Sequence, residues 1–195
     1  LGVKESNQNI TPSALLDTSD PVAFIQSLLP AAEKAAAATG LKEAYKNDFL
    51  IGAALSASII KQQDPTLVAL ITKEFNSITP ENCQKWGEIR NEDGSWKWDD
   101  SDAIINFGSK RKMHMVGHTL GWHSQIPESV FKNKDGSYIS KEALAKKQQE
   151  HITTLVDRYK GKIAAWDVVN EALAPDGSLA DNVFLRKLGP TYIEL

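Results

Sequence analysis

The 195-residue chain holds a single cysteine, no long apolar run and no excess of basic residues, and each scarcity removes a class of protein. Cys83 alone excludes an internal disulfide, and with four scattered histidines it fits no zinc-ligand spacing. A bilayer span needs roughly 18 consecutive apolar residues. The longest small-apolar stretch here, Ala35 to Ala38, follows the charged Glu33-Lys34 pair and reads as helix surface. A formal net charge of −3 argues against a nucleic-acid partner, because phosphate binding wants a basic face. No serine elbow or phosphate-binding glycine loop occurs, and the one His-x-x-x-His spacing, His114 and His118, falls on an expected strand, where it does not make the helical metal-binding pair. The opening Leu-Gly-Val-Lys-Glu-Ser-Asn has no signal-peptide pattern, as a mature start would also lack one.

What is present is an ordinary globular composition, 42% hydrophobic and 24% charged. The length suits one substantial core and is too short for two comfortable domains. Residues 1–20 are polar and read as an extended lead-in to a unit over 21–195. Asp20-Pro21 caps a predicted helix to about Ala38, with a kink at Pro30 and a stop at Gly40. Strands are expected at about 49–55, 74–79, 112–118 and 163–169, the first and the last as buried runs. Between them, helices are expected from Pro65 to about Lys73, from the Asp99–Asp102 cluster to about Arg111, and from Ser140 to Gly161. Ser178 is expected to cap a further helix over 179–188, and residues 191–195 to begin another. Strand and helix in fourfold alternation argue for a parallel sheet with crossover helices. No glycine fingerprint follows the first strand, at Ser56-Ala57-Ser58. Polar and aromatic residues gather at the exits of the later strands. Both features favour half of an eight-unit (β/α) barrel over a doubly wound sheet.

Three strand exits carry the chemistry. Glu81, Asn82, Lys85 and Trp86 follow the second strand. They read either as a solvated helix start or as a hydrogen-bonding patch for hydroxyls. GHTLGWHSQ, residues 117–125, ends the third strand with His118, Trp122, His123 and Gln125. A lone histidine there would be a packed core residue. This group instead supplies what sugar binding needs, a flat apolar ring surrounded by amide and imidazole groups. Trp96 and Trp98 either extend that platform or pack as a β ribbon. WDVVNEAL, residues 166–173, ends the fourth strand in Asn170-Glu171 and runs into a Pro175-Asp176-Gly177 turn. An exposed loop glutamate is the bland alternative for Glu171. Burial beside a tryptophan would instead tune it for proton donation.

In this order and spacing, FLIGAALS, FNSITPENCQKW, GHTLGWHSQ and RYKGKIAAWDVVNEAL resemble the first half of a family 10 glycoside hydrolase. That is the endo-β-1,4-xylanase group, with a (β/α)₈ TIM barrel and a retaining mechanism. The resemblance implies an α/β chain holding the first four β/α units of the barrel. It implies Glu171 as the acid/base and Asn170 as the amide that meets the sugar 2-hydroxyl. His118, Trp122 and Gln125 would line the glycone side, with Glu81, Asn82 and Lys85 at the next subsite outward and Trp86 packed under Lys85. Xylan or a xylo-oligosaccharide would be the substrate and the C-terminal half of the barrel the missing partner, with no cofactor and no metal. A secreted, periplasmic or cell-surface location is expected on the same ground. The nucleophile would lie on the seventh strand, beyond this chain, so the 195 residues alone are expected to be inactive.

There are departures from the family pattern. Gln84 stands where the family usually has Met, expected to alter packing only. Gly121 replaces a common Val, and Pro127 to Phe131 lacks a Trp often found two residues after the proline. A non-catalytic xylan-binding half barrel and a related barrel β-glucanase are the alternatives.

Overall fold

The computed structural model describes residues 40–194; the expected lead-in and the helix over 21–38 lie outside them. From Leu41 on, the elements are α1 (Leu41–Ala44), β1 (Gly52–Leu55), α2 (Ala57–Gln62), α3 (Pro65–Glu74) and β2 (Ser77–Pro80). They continue with α4 (Trp86–Ile89), α5 (Asp99–Lys110), β3 (His114–Gly121), α6 (Lys141–Arg158), β4 (Ala165–Val169) and α7 (Val183–Leu188). Short 3₁₀ turns occupy Glu128–Val130 and Pro190–Glu194. The four strands form one sheet in sequence order, every pair parallel. This is the partial (β/α) barrel that the alternation predicts.

Side-chain caps account for three of the helix starts. Asp64 accepts from the Thr66 and Leu67 amides at the head of α3, with Pro65 at the first position, where no amide is missed. Ser140 accepts from Ala143 N at the head of α6. Two expected caps are different. Trp98, not the aspartate cluster, precedes α5, and no side chain caps it. The aspartates lie in the first turn, where their charge is attracted to the positive end of the helix dipole. Asp102 reaches across to α6, accepting from Arg158 Nη2 (2.6 Å) and Tyr159 Oη (2.9 Å). Nor does Ser178 start a helix: Asn182 caps α7, which is four residues shorter than expected at its N-terminal end. Ser178 is instead held by Asp176, its amide and hydroxyl both donating to Oδ1.

The same device recurs at Asp93-Gly94-Ser95 and Asp135-Gly136-Ser137, so the segments after β2, β3 and β4 each carry one Asp-Gly-Ser hairpin. Each glycine has φ near +84°, a conformation its lack of a Cβ permits.

The main core lies between the sheet and its helices: Ile78 and Met115 from the strands meet Ile104, Ile105 and Phe107 of α5 and Leu155 of α6. A second cluster joins Trp86, Phe131, Leu144, Phe184 and Tyr192. The outer strands correct the expectation of buried runs at both ends. In β1 only Leu55 is buried, Phe49 and Leu50 before it are 57% and 52% exposed, and Val168 in β4 is 54% exposed. Each of these strands has a neighbour on one side only among the described residues, so its other edge and much of its apolar surface meet solvent.

Between the two clusters, His151 of α6 is wholly buried. It stacks on Trp86 at 4.0 Å and lies 5.4 Å from Trp96, which stacks on Trp98 at 4.4 Å. Arg90 lies 3.9 Å over Trp96 and Arg158 4.1 Å over Trp98. Trp96 and Trp98 are therefore committed to a half-buried stacked column, and Trp96 also bridges antiparallel to Arg90, the ribbon alternative.

Neither ring nitrogen of His151 has a hydrogen-bond partner among the described residues. Burial, reinforced by the Arg90 charge, pushes its imidazole down to about 3. The unfolded chain thus binds a proton that the folded chain refuses between pH 6.5 and about 3. The contribution to stability is complete above pH 6.5 and shrinks as pH falls, by at most ~1.4 kcal/mol per pH unit. Urea unfolding of the complete protein across that window should show His151→Phe with a shallower acid slope than the parent; parallel slopes would contradict this.

Candidate active site

Because all four strands run parallel, the residues that leave β2, β3 and β4 emerge along one edge of the sheet. The Glu81 amide donates to Leu55 O at the end of β1, which fixes where the loop after β2 departs. Within that loop the Lys85 amide bonds Asn82 O, and Lys85 Nζ donates to Asn82 Oδ1 at 2.7 Å. The Lys85 ammonium lies 4.8 Å from the centroid of the Trp122 ring, within range of a cation–π contact. Trp122 in turn donates from Nε1 to Glu171 Oε2 at 2.9 Å, and His123 Nε2 lies 3.9 Å from the same oxygen. A continuous path of contacts thus runs from Asn82 through Lys85 and Trp122 to Glu171.

Beside this path, His118 of β3 pairs in register with Asp167 of β4, and its Nδ1 hydrogen-bonds Asp167 Oδ2 at 2.9 Å. Thr119 donates to Asp167 O, tying the two strands at the same level. Beyond β4, the Asn170 amide bonds Gly121 O, and Glu171 takes φ +53°. A left-handed backbone at a non-glycine residue is uncommon, and Gln125 shares it at φ +48°.

Residues 40–195 match the profile described as glycosyl hydrolase family 10. The chain belongs to that family. It is 40% identical to an endo-1,4-beta-xylanase A of Xylanibacter ruminicola, over 86% of this chain and 46% of the relative. A GH10 endoxylanase from a sugarcane soil metagenome superimposes with a TM-score of 0.76 at 49% identity, covering 79% of this chain and 45% of the other. A glutamate-to-alanine mutant solved with xylotriose superimposes with a TM-score of 0.74 at 37% identity, over 80% and 47% of the two chains. The chain therefore spans about half the length of these relatives and corresponds to the N-terminal part of the family 10 barrel.

Within that frame, Asn82, Lys85, Trp122 and Glu171 touch in sequence, and His118 and Asn170 flank them on the same two strands. Glu81 stands at the same edge with its side chain exposed. Gln125 is exposed too; it is tied in by its carbonyl, which accepts from Gly87 N at 2.8 Å, and its side chain joins no hydrogen bond among the described residues. Three expectations need correction. Glu171 is not buried beside tryptophan: its side chain is 58% exposed, and Trp122 meets it through a hydrogen bond at its edge. Trp86 does not pack under Lys85; it lies buried on His151, and Trp122 takes that place. Gln84 does more than pack, since both ends of its amide are hydrogen-bonded.

Asp167 is a partner that the sequence reading passed over. Its signal was present, as the other acid of the WDVVNEAL segment, four residues before Glu171. Only the β3–β4 register sets it opposite His118. Among the described residues, no group of three or more His, Cys, Asp or Glu side chains is placed to hold a metal ion, and no helix is long and apolar enough to cross a membrane.

His118 keeps its place partly because its neighbour is glycine. A Cβ on Gly117 would come closer than 3.0 Å to three ring atoms of Trp166 on β4. Gly117→Ala should therefore cost ~1–3 kcal/mol of stability through overpacking. Urea unfolding of the complete protein measures it, and an unchanged midpoint would mean that the Trp166 ring moves aside freely.

Proposed function

We propose that this chain is the glycone-side half of a retaining endo-β-1,4-xylanase domain, with Glu171 as general acid and then general base. The observation that carries the reading is the Trp122–Glu171 hydrogen bond at the exit of β4. It holds an otherwise exposed carboxylate at the one sheet edge where amide, ammonium, imidazole and indole groups converge. Family membership and the xylanase names of the relatives support the substrate class.

In the first step the protonated Glu171 gives its proton to the glycosidic oxygen while a second carboxylate attacks the anomeric carbon. The C–O bond to the leaving sugar breaks as a glycosyl ester forms. In the second step Glu171, now ionised, takes a proton from water as that water displaces the ester. Asn170 serves the 2-hydroxyl of the sugar at the cleavage point. His118, Trp122 and Gln125 line the glycone side, and Glu81, Asn82 and Lys85 take the next sugar outward. Lys85 and Asn82 offer a donor and acceptors already locked to each other, which lowers the ordering cost of gripping a hydroxyl.

The two carboxyls of a retaining enzyme stand roughly 5 to 5.5 Å apart. The other acids near these strand exits are occupied or ill-placed: Asp167 is bonded to His118, and Glu81 leaves the sheet two strands away from Glu171. The second carboxylate therefore comes from the part of the domain that the relatives have and these residues do not cover.

In the complete domain, Glu171→Ala should lower turnover of xylan by about 10²–10⁴-fold, since alkoxide departure needs protonation. The glycosylation step of an aryl xylobioside with an activated phenolate should lose far less. Equal losses for both substrates would give Glu171 another role.

The 195 residues by themselves should not hydrolyse xylan, because the pair of carboxyls is incomplete. Reducing-sugar release by the purified chain, before and after adding the remaining half of the domain, tests this. Turnover by the chain alone would require a nucleophile among these residues.

A further inference from the structure

Gln84 is wholly buried, yet it is a polar residue in the middle of the loop that carries Glu81, Asn82 and Lys85. Its Nε2 donates to Ser101 Oγ of α5 at 3.1 Å, and its Oε1 accepts from the backbone amide of His118 at 3.0 Å. Ser101 is equally buried. The β2–β3 ladder is paired only as far as Ile78 opposite Met115. Three residues later the His118 amide has no strand of β2 beside it, and the side chain of Gln84 takes the position of a ladder acceptor. A buried amide with both ends satisfied holds its neighbours in one arrangement, because every alternative strands a polar group away from water.

We infer that Gln84 is a positioning residue of this site. It bolts the loop after β2 to the His118 backbone and to α5, and so sets the Lys85–Asn82 pair and His118 in one frame. The inference rests on the reading of these residues as glycone contacts. A methionine would fill similar space but offer no equivalent donor and acceptor, so this anchor belongs to the Gln84–Ser101 pairing. His118 is thus held twice, through its amide by Gln84 and through its ring by Asp167.

The test uses the complete protein with Gln84→Met, Ser101→Ala and the double variant, and His118→Ala in parallel. Gln84→Met leaves the His118 amide and the Ser101 hydroxyl without partners and should lower stability. The double variant removes one of those two orphaned groups and should recover only part of the loss. For xylotriose, however, KM in the double variant should stay raised about fivefold, the equivalent of one hydrogen bond of ~1 kcal/mol, with kcat within about twofold of the parent. Amide exchange at His118, followed by NMR, should quicken in both Gln84 variants.

A double variant whose KM returns to the parental value along with its stability would reduce Gln84 to packing and overturn the proposal. Unchanged His118 amide exchange in Gln84→Met would overturn it as well, whatever the kinetics. If His118→Ala leaves xylotriose kinetics untouched, the glycone assignment of His118 fails instead, and the exchange measurement alone decides whether Gln84 anchors that strand exit.

Discussion

The parallel register of β3 on β4 is the constraint on which the site depends. His118 opposite Asp167 places an imidazole and a carboxylate on one face, and Gly121 opposite Val169 brings Trp122 to the level of Glu171. Strand side chains alternate with a period of two. A slip of one residue would turn the site-facing residues of β4 toward the helices and its core-facing residues outward. Gly117 against Trp166 opposes such a slip, since a shift of one residue either way would put the side chain of Val116 or His118 under that ring. The irregularity between His118 and Gly121 then lets β3 shift by one step and still deliver both His118 and Trp122 to the same edge.

Two buried polar residues show opposite solutions to the cost of taking such groups out of water. Gln84 is satisfied at both ends and ties three elements together. His151 has no hydrogen-bond partner among the described residues, and its imidazole gains instead from stacking on Trp86 and Trp96 while staying neutral. The first solution is directional and locates the loop that carries Lys85. The second fills the space between the two hydrophobic clusters and supports α4 directly behind that loop. Both residues stand behind the site and reach it through the backbone.

The open edges of β1 and β4 give the family relationship a physical meaning. Apolar side chains at Phe49, Leu50 and Val168 meet solvent in these residues, where a closed barrel would cover its strands on both sides. The relatives are about twice as long, and a sheet of four parallel strands is half of the eight that a barrel of this type closes with. The open strand edges and the exposed apolar surface are therefore features of the part, explained by the whole.

What the sequence determined by itself was the local and the periodic. It placed four strands and their alternation with helices, the helix starts at Pro65 and Ser140, the Pro175-Asp176-Gly177 turn, and the residues at three strand exits. Each depends on neighbours within a few positions, so spacing and residue type suffice. The places where it misled are those where distant groups compete. Ser178 was drawn to Asp176 and left the α7 cap to Asn182, and Asp102 served Arg158 and Tyr159 of another helix. Trp96 and Trp98 went to a column with His151, Trp122 displaced Trp86 beneath Lys85, and Gln84 found partners 17 and 34 residues away. Which of several capable partners a side chain meets is settled by the register of the sheet and the packing of helices on it. Only the tertiary structure decides that, because the choice is made between residues that the sequence does not place side by side.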